Sequence, residues 1–96
     1  MKRRTRYVVA YDIPDDRRRL RVAKLLEGYG ERVQYSVFEC VLTPRQFERL
    51  WEEIGRRIDG AEDSVRVYRL CEECSRWTRT VGRERPTAEV PEVYIV

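Results

Sequence analysis

Asp12 ends the apolar run Tyr7-Val8-Val9-Ala10-Tyr11, and Arg17, Arg18, Arg19 and Arg21 follow it after a Pro-Asp-Asp turn. A carboxylate in an apolar run is costly if it is buried without a partner, because the charged form loses its hydration. A strand end that opens on solvent removes that cost and leaves the group able to hold a hard cation. Mg²⁺ takes oxygen ligands, usually one or two carboxylates, with waters and phosphate oxygens completing the shell. Arginines beside such a centre suit a phosphodiester: each guanidinium forks onto phosphate oxygens and offsets the charge that develops during transfer. Plainer uses stand beside these. Asp12 would also serve as a turn residue bonded to the backbone at Asp15 and Asp16, or as the partner of a nearby arginine. The arginines, with Lys24 and Arg32, would also serve as solvated surface. One carboxylate per chain is a poor metal site. A twofold dimer that juxtaposes two Asp12 side chains makes a better one, since a shared cation removes their repulsion. Arginines in a first helical turn oppose the helix dipole, which points to a use away from their own helix. Asp15 and Asp16 add acceptors, with capping the expected task of at least one.

The remaining reactive groups narrow the chemistry. The chain has no histidine, which removes the commonest general base and excludes a His-dependent hydrolase. Ser36 therefore has no base to activate it. Cations outnumber carboxylates by 20 to 17, and only Lys2 and Lys24 are lysines. That arginine bias fits phosphate recognition, and it equally fits surface ion pairs of a heat-adapted protein. Tyr35, Phe38 and Trp77 are able to stack on bases, though core packing is the ordinary use of aromatics. Cys71-Glu72-Glu73-Cys74 is a lone CxxC. Zinc wants four ligands, which only two chains pooling thiolates would supply. A thioredoxin-like role needs the pair to open a helix after a strand, and two glutamates between the cysteines would raise thiolate pKa. The pair reads as structural or incidental. Three cysteines, an odd number, argue against a disulfide scaffold.

These groups must be positioned by the elements around them. Residues 6–13 hold Tyr and Val with no breaker, and both alternating sets, Tyr7/Val9/Tyr11 and Val8/Ala10, are apolar, which predicts a central strand covered on both faces. Asp12 falls in phase with Val8 and Ala10. A helix follows to about residue 27, its inner stripe set by Val22, Leu25, Leu26 and Tyr29, with Arg17, Arg21 and Lys24 opposite and Gly28 and Gly30 ending it. Residues 32–42 are extended but change phase: Val33, Tyr35 and Val37 share one face, then Phe38, Cys40 and Leu42. A turn or bulge near Ser36–Val37 and two short strands account for the shift. Thr43-Pro44 starts a second helix, an N-cap with Pro at the first position, with Phe47, Leu50, Trp51, Ile54 and Ile58 on its apolar side and an end near Gly60. Residues 63–70 form another strand. Residues 77–81 alternate as a further one, 84–91 are polar and contain proline, and 93–96 end apolar. The order is β-α-β-β-α-β with a C-terminal appendage, the ferredoxin-like arrangement of an α+β domain.

Ninety-six residues make one domain, with a core over about 5–74 and a terminal segment over about 75–96. Such a chain buries about 60–65% of its extended surface and often gains stability by dimerising. The apolar end of the chain suits packing on its own sheet or on a partner. No apolar run nears the ~20 residues of a membrane span, and the basic N-terminus leads into a run too short for a signal sequence. A soluble, cytoplasmic protein is expected.

The blocks YVVAYDIPDDRRRLRVAKLL, GYGERVQYSVFEC, DSVRVYRLC and the terminal EVYIV resemble the small universal CRISPR-associated adaptation protein, the Cas-two family, over nearly the whole chain. The resemblance implies a ferredoxin-like fold with an extra C-terminal strand exchanged across a symmetric homodimer. It implies a metal-dependent endonuclease acting on single-stranded RNA or double-stranded DNA, with Mg²⁺ or another divalent cation held between two copies of Asp12. Tyr11, Arg19, Arg21, Arg32 and Phe38 match positions tied to activity or nucleic-acid contact in that family. It also implies a partner, the CRISPR integrase subunit of the Cas-one family, which the dimer bridges during spacer acquisition. Residues 71–91 follow the family pattern less closely. Two other classes of function stand beside the nuclease. One is a non-catalytic, Arg-lined bridge that holds duplex DNA by its backbone. The other is a small-ligand regulatory module, which leaves the Asp12–arginine grouping without a use.

Overall fold

Tyr7, Val9 and Tyr11 alternate with Val8 and Ala10 along β1 (Thr5–Asp12), and only the first set is buried. The reason lies in what packs against each face. In the computed structural model, which describes residues 3–83, helices α1 (Asp16–Glu27) and α2 (Pro44–Arg57) share one core with a single face of the sheet. The strands β2 (Glu31–Gln34), β3 (Val37–Leu42) and β4 (Ser64–Leu70) complete that sheet in the order β2-β3-β1-β4, antiparallel throughout. This is the ferredoxin-like α+β arrangement that the element order predicts. β1 is central, as expected, but the two long helices cover it on one face. The other, here called the outer face, carries Val8, Ala10, Val37 and Val41 in half-buried positions and Tyr68, which is 52% exposed.

Local chemistry explains each boundary. Asp15 caps α1 by accepting the Arg18 amide at 2.9 Å, and Gly28 closes it. Thr43 and Gln46 form a reciprocal capping box at the start of α2, with Pro44 at the first helical position. α2 ends at Arg57 with Ile58 as its C-cap, close to the end expected near Gly60. Between β2 and β3 the register slips near Arg32/Gln34 and the chain turns at Tyr35 and Ser36, which is the phase change seen in the sequence. Phe38, Cys40 and Leu42 thereby face the helices beside Tyr7 and Val9. Tyr7 stacks on Phe47 at 4.3 Å between ring centres, and Phe47 on Trp51 at 6.0 Å. Trp51 itself lies at the rim, 43% exposed.

Gly30 is the one place where a side chain has no room. A Cβ there would stand 2.2 Å from the Glu39 carbonyl oxygen and 2.7 Å from the Cys40 sulfur. Its absence lets the α1–β2 connection press against β3.

The strand expected over 77–81 is not formed. After β4 the chain enters a short helix, α3 (Glu72–Ser75), and the amides of Trp77 and Thr78 bond back to the carbonyls of Cys74 and Ser75. The turn uses the donors a strand would need. The C-terminal strand and its exchange across a dimer fall on residues 84–96, outside those described. Among the described residues no helix is long and apolar enough to cross a membrane.

Candidate nucleic-acid and metal site

The end of β1 divides the expected site residues between the two faces of the sheet. Tyr11 is buried on the helix side, 6% exposed, while Asp12 is exposed on the outer side beside Ser64 of β4. Alternation along a strand forces this split.

On the helix side, Tyr11, Asp16, Arg19, Leu20, Ala23, Arg32 and Tyr35 line a cleft of about 310 Å³ between α1 and the β2–β3 turn. Tyr11 stacks loosely on Phe38, 6.3 Å between ring centres, and the Arg32 guanidinium sits over the Phe38 ring at 5.2 Å. Arg32 also donates to the Tyr35 carbonyl at 2.9 Å. Arg19 donates to the carbonyls of Ile13 at 2.9 Å and Pro14 at 3.4 Å and pairs with Asp16. Both guanidiniums are thus held in place at the wall of the cleft. Burial pushes the Tyr11 phenol above its ordinary value, and Arg32 and Arg19 only partly oppose this. Tyr11 is a neutral hydrogen-bonding group at physiological pH. The pair with Asp16 raises Arg19 further.

Of the six residues singled out from the sequence, the structure gathers Tyr11, Arg19 and Arg32 at this cleft with Phe38 beneath. Arg21 lies elsewhere, on the exposed side of α1 with Arg17 and Lys24. Leu20 was missed. It is 61% exposed at the cleft and out of phase with the Val22–Leu26 stripe, a signal the sequence did offer.

Arg18 does not belong to a phosphate-binding patch. Its Nε donates to Asp63 Oδ2 at 2.7 Å and its Nη2 to Oδ1 at 3.0 Å, with Glu62 at 3.3 Å. The Asp63 side chain is fully enclosed and also accepts the Asp59 amide at 2.8 Å. The fork ties α1 to the loop before β4, and the Arg18 hydrogen bonds hold the Asp63 carboxyl below the usual carboxylate range. Asp15 and Asp16 are likewise committed, one to the cap and one to Arg19.

Asp12 is the carboxylate left facing solvent at this end of the outer face. Among the described residues no group of three or more His, Cys, Asp or Glu side chains is placed to hold a metal ion. One exposed oxygen donor with room for waters suits a hard cation only in part, and a second chain's carboxylate would complete the set.

The cysteine pair takes the structural place that was one of its two sequence readings. Cys71 directly follows β4 and caps α3, its sulfur accepting the Cys74 amide at 3.2 Å. That amide lowers the Cys71 thiol and outweighs the opposing charge of Glu73, while Cys74 is raised. Glu73 acts to raise both thiols, in the expected direction, but at Cys71 the donor in contact outweighs a carboxylate in solvent.

The family described as CRISPR associated protein Cas2 matches residues 5–77 of this chain. A relative from Chloroflexus aurantiacus, named CRISPR-associated endoribonuclease Cas2, is 43% identical over 91 residues, covering 94% of this chain and 98% of its own. The crystal structure of Streptococcus pyogenes Cas2 superposes with a TM-score of 0.74 at 38% identity, over 80% of this chain and 99% of that one. A chain in a structure titled a partial Cas6-RT-Cas1–Cas2 complex superposes with a TM-score of 0.71 at 31% identity, over 80% of this chain and 90% of that one.

Proposed function

This chain belongs to the CRISPR-associated protein Cas2 family, and on that premise we propose that it is a divalent-metal-dependent endonuclease that works as a homodimer. The observation that carries the reading is Asp12, exposed at the end of an outer face where Val8, Ala10, Val37 and Val41 surround the Arg6–Glu39 ion pair. Four aliphatic side chains that keep part of their surface in water favour a second layer, at about 25 cal/mol per Å² buried. A second copy is the natural cover, because a twofold contact is self-complementary. A twofold axis near the end of β1 would bring two Asp12 carboxylates together and supply the pair that one chain lacks. Mg²⁺ between them would activate water and offset charge on the phosphate.

The remaining residues act by position. Arg19 and Arg32 hold phosphate oxygens with guanidiniums already oriented by carbonyls and Asp16. Tyr11 stays protonated and donates a hydrogen bond. Arg21 adds charge along the approach to α1. The substrate class is single-stranded RNA or duplex DNA. The test is cleavage of matched RNA and DNA by the purified protein with Mg²⁺, with chelator, and with Asp12→Asn. Cutting that needs metal and disappears in the variant is the expected result. An unchanged rate in Asp12→Asn ends the assignment.

A second reading is favoured by the separation of Asp12 from the arginine cleft on opposite faces of the sheet. The dimer would then be an architectural bridge for integrase subunits of the Cas1 family in spacer acquisition, binding DNA by its phosphates alone. Binding would be salt-sensitive and blind to sequence, equal in the wild type and Asp12→Asn, and without cleavage.

A further inference from the structure

The Cys71–Cys74 pair takes no part in the function proposed above. We propose that it is a reversible dithiol–disulfide site, with Cys71 as the attacking thiolate and Cys74 as the resolving thiol, reacting with low-molecular-weight disulfides. Three observations carry this. First, the two cysteines open α3 directly after β4, one helical turn apart, and the Cys74 amide donates to Cys71 Sγ at 3.2 Å. A disulfide needs no large backbone movement from such a start. Second, both residues are exposed and unpaired, so a soluble disulfide reaches them. Third, the remaining cysteine does not compete. Cys40 is fully buried among Tyr7, Phe38 and Leu42, and burial pushes its thiol up to about 12.

The asymmetry within the pair assigns the roles. The Cys74 amide points at Cys71 Sγ and stabilises negative charge there, so the Cys71 thiol is lowered while that of Cys74 is raised. The Cys71 thiolate attacks one sulfur of RSSR, forms a Cys71–S–S–R bond and expels RS⁻. Cys74 then loses its proton to solvent, attacks the Cys71 sulfur and expels the second RS⁻. Two protein thiols are oxidised by two electrons, and one RSSR becomes two RSH. The bond would fix the start of α3, which contacts β1 and β4 and places the buried Ser75.

The test equilibrates the full-length protein in glutathione redox buffers, alkylates the remaining thiols and reads intact mass. The expected result is paired loss of Cys71 and Cys74 alkylation with no glutathione retained, and alkylation of Cys40 only after unfolding. Cys74→Ser should stall as a single glutathione adduct on Cys71. Cys71→Ser should form its adduct about tenfold more slowly. Circular dichroism of both variants separates chemistry from misfolding. Stable glutathione adducts on both cysteines of the wild type, disulfides between chains, or equal rates in the two variants would overturn the assignment.

Discussion

The two faces of the sheet are made from the same strands and differ in how far one chain completes them. On the helix side, Val9, Phe38 and Cys40 are fully buried, and Tyr7, Tyr11 and Leu42 nearly so. On the outer side the aliphatics Val8, Ala10, Val37 and Val41 keep part of their surface in water, and the row ends in an exposed Asp12. The first face therefore supports the fold, and the second is available for association. The cleft lies where the helix face meets solvent, so its arginines borrow rigidity from the core while their remaining donors stay accessible.

This contrast orders a set of expected effects. Phe38→Ala removes a fully buried ring from the helix face and should cost about 3–5 kcal/mol in denaturant unfolding. It should also loosen Arg32, which rests on that ring. Gly30→Ala forces a methyl onto the β3 backbone and should cost about 3 kcal/mol. A loss below about 1 kcal/mol would show that the α1–β2 connection shifts freely.

Asp63→Asn comes next, with a melting temperature lowered on the order of 5 °C at neutral pH. Because Arg18 depresses the Asp63 carboxyl, folded Asp63 is ionised where the unfolded chain begins to protonate. Its contribution is present above the unfolded value and lost as pH falls through the folded one. Wild-type stability should therefore decline below about pH 5, and the variant should show a shallower decline on thermal melts across that range.

Val8→Asp on the outer face should lower protomer stability by only about 1 kcal/mol yet shift the proposed dimer to monomer in sedimentation. A variant that unfolds as badly as Phe38→Ala would erase the distinction between the faces. Asp12→Asn should have the smallest effect on folding, within about 0.5 kcal/mol, while the proposed metal-dependent cleavage is lost.

Much of the helix face was legible in the sequence. The caps at Asp15 and Thr43 depend on groups three residues away, and the Val22/Leu26 and Leu50/Ile54 stripes on helical spacing. The change of phase near Ser36 announced the β2–β3 turn. Residues 77–81 misled because alternation alone cannot reveal that the amides of Trp77 and Thr78 bond back to the preceding turn. Arg18 misled for a different reason. It sits among arginines with identical local surroundings, and its partner Asp63 lies 45 positions away.

The sequence by itself determined the order of elements as far as β4, the caps of α1 and α2 and the opposite pointing of Tyr11 and Asp12, because each depends on near neighbours and on the fixed alternation of a strand. Which face of β1 the helices would cover was left to the tertiary structure. Both alternating sets are apolar, so hydrophobicity has no preference between them, and the choice falls to the crossing of α1 and α2 over the sheet. The same crossing decides which arginine meets Asp63, which two line the cleft, and which face keeps Asp12 in solvent.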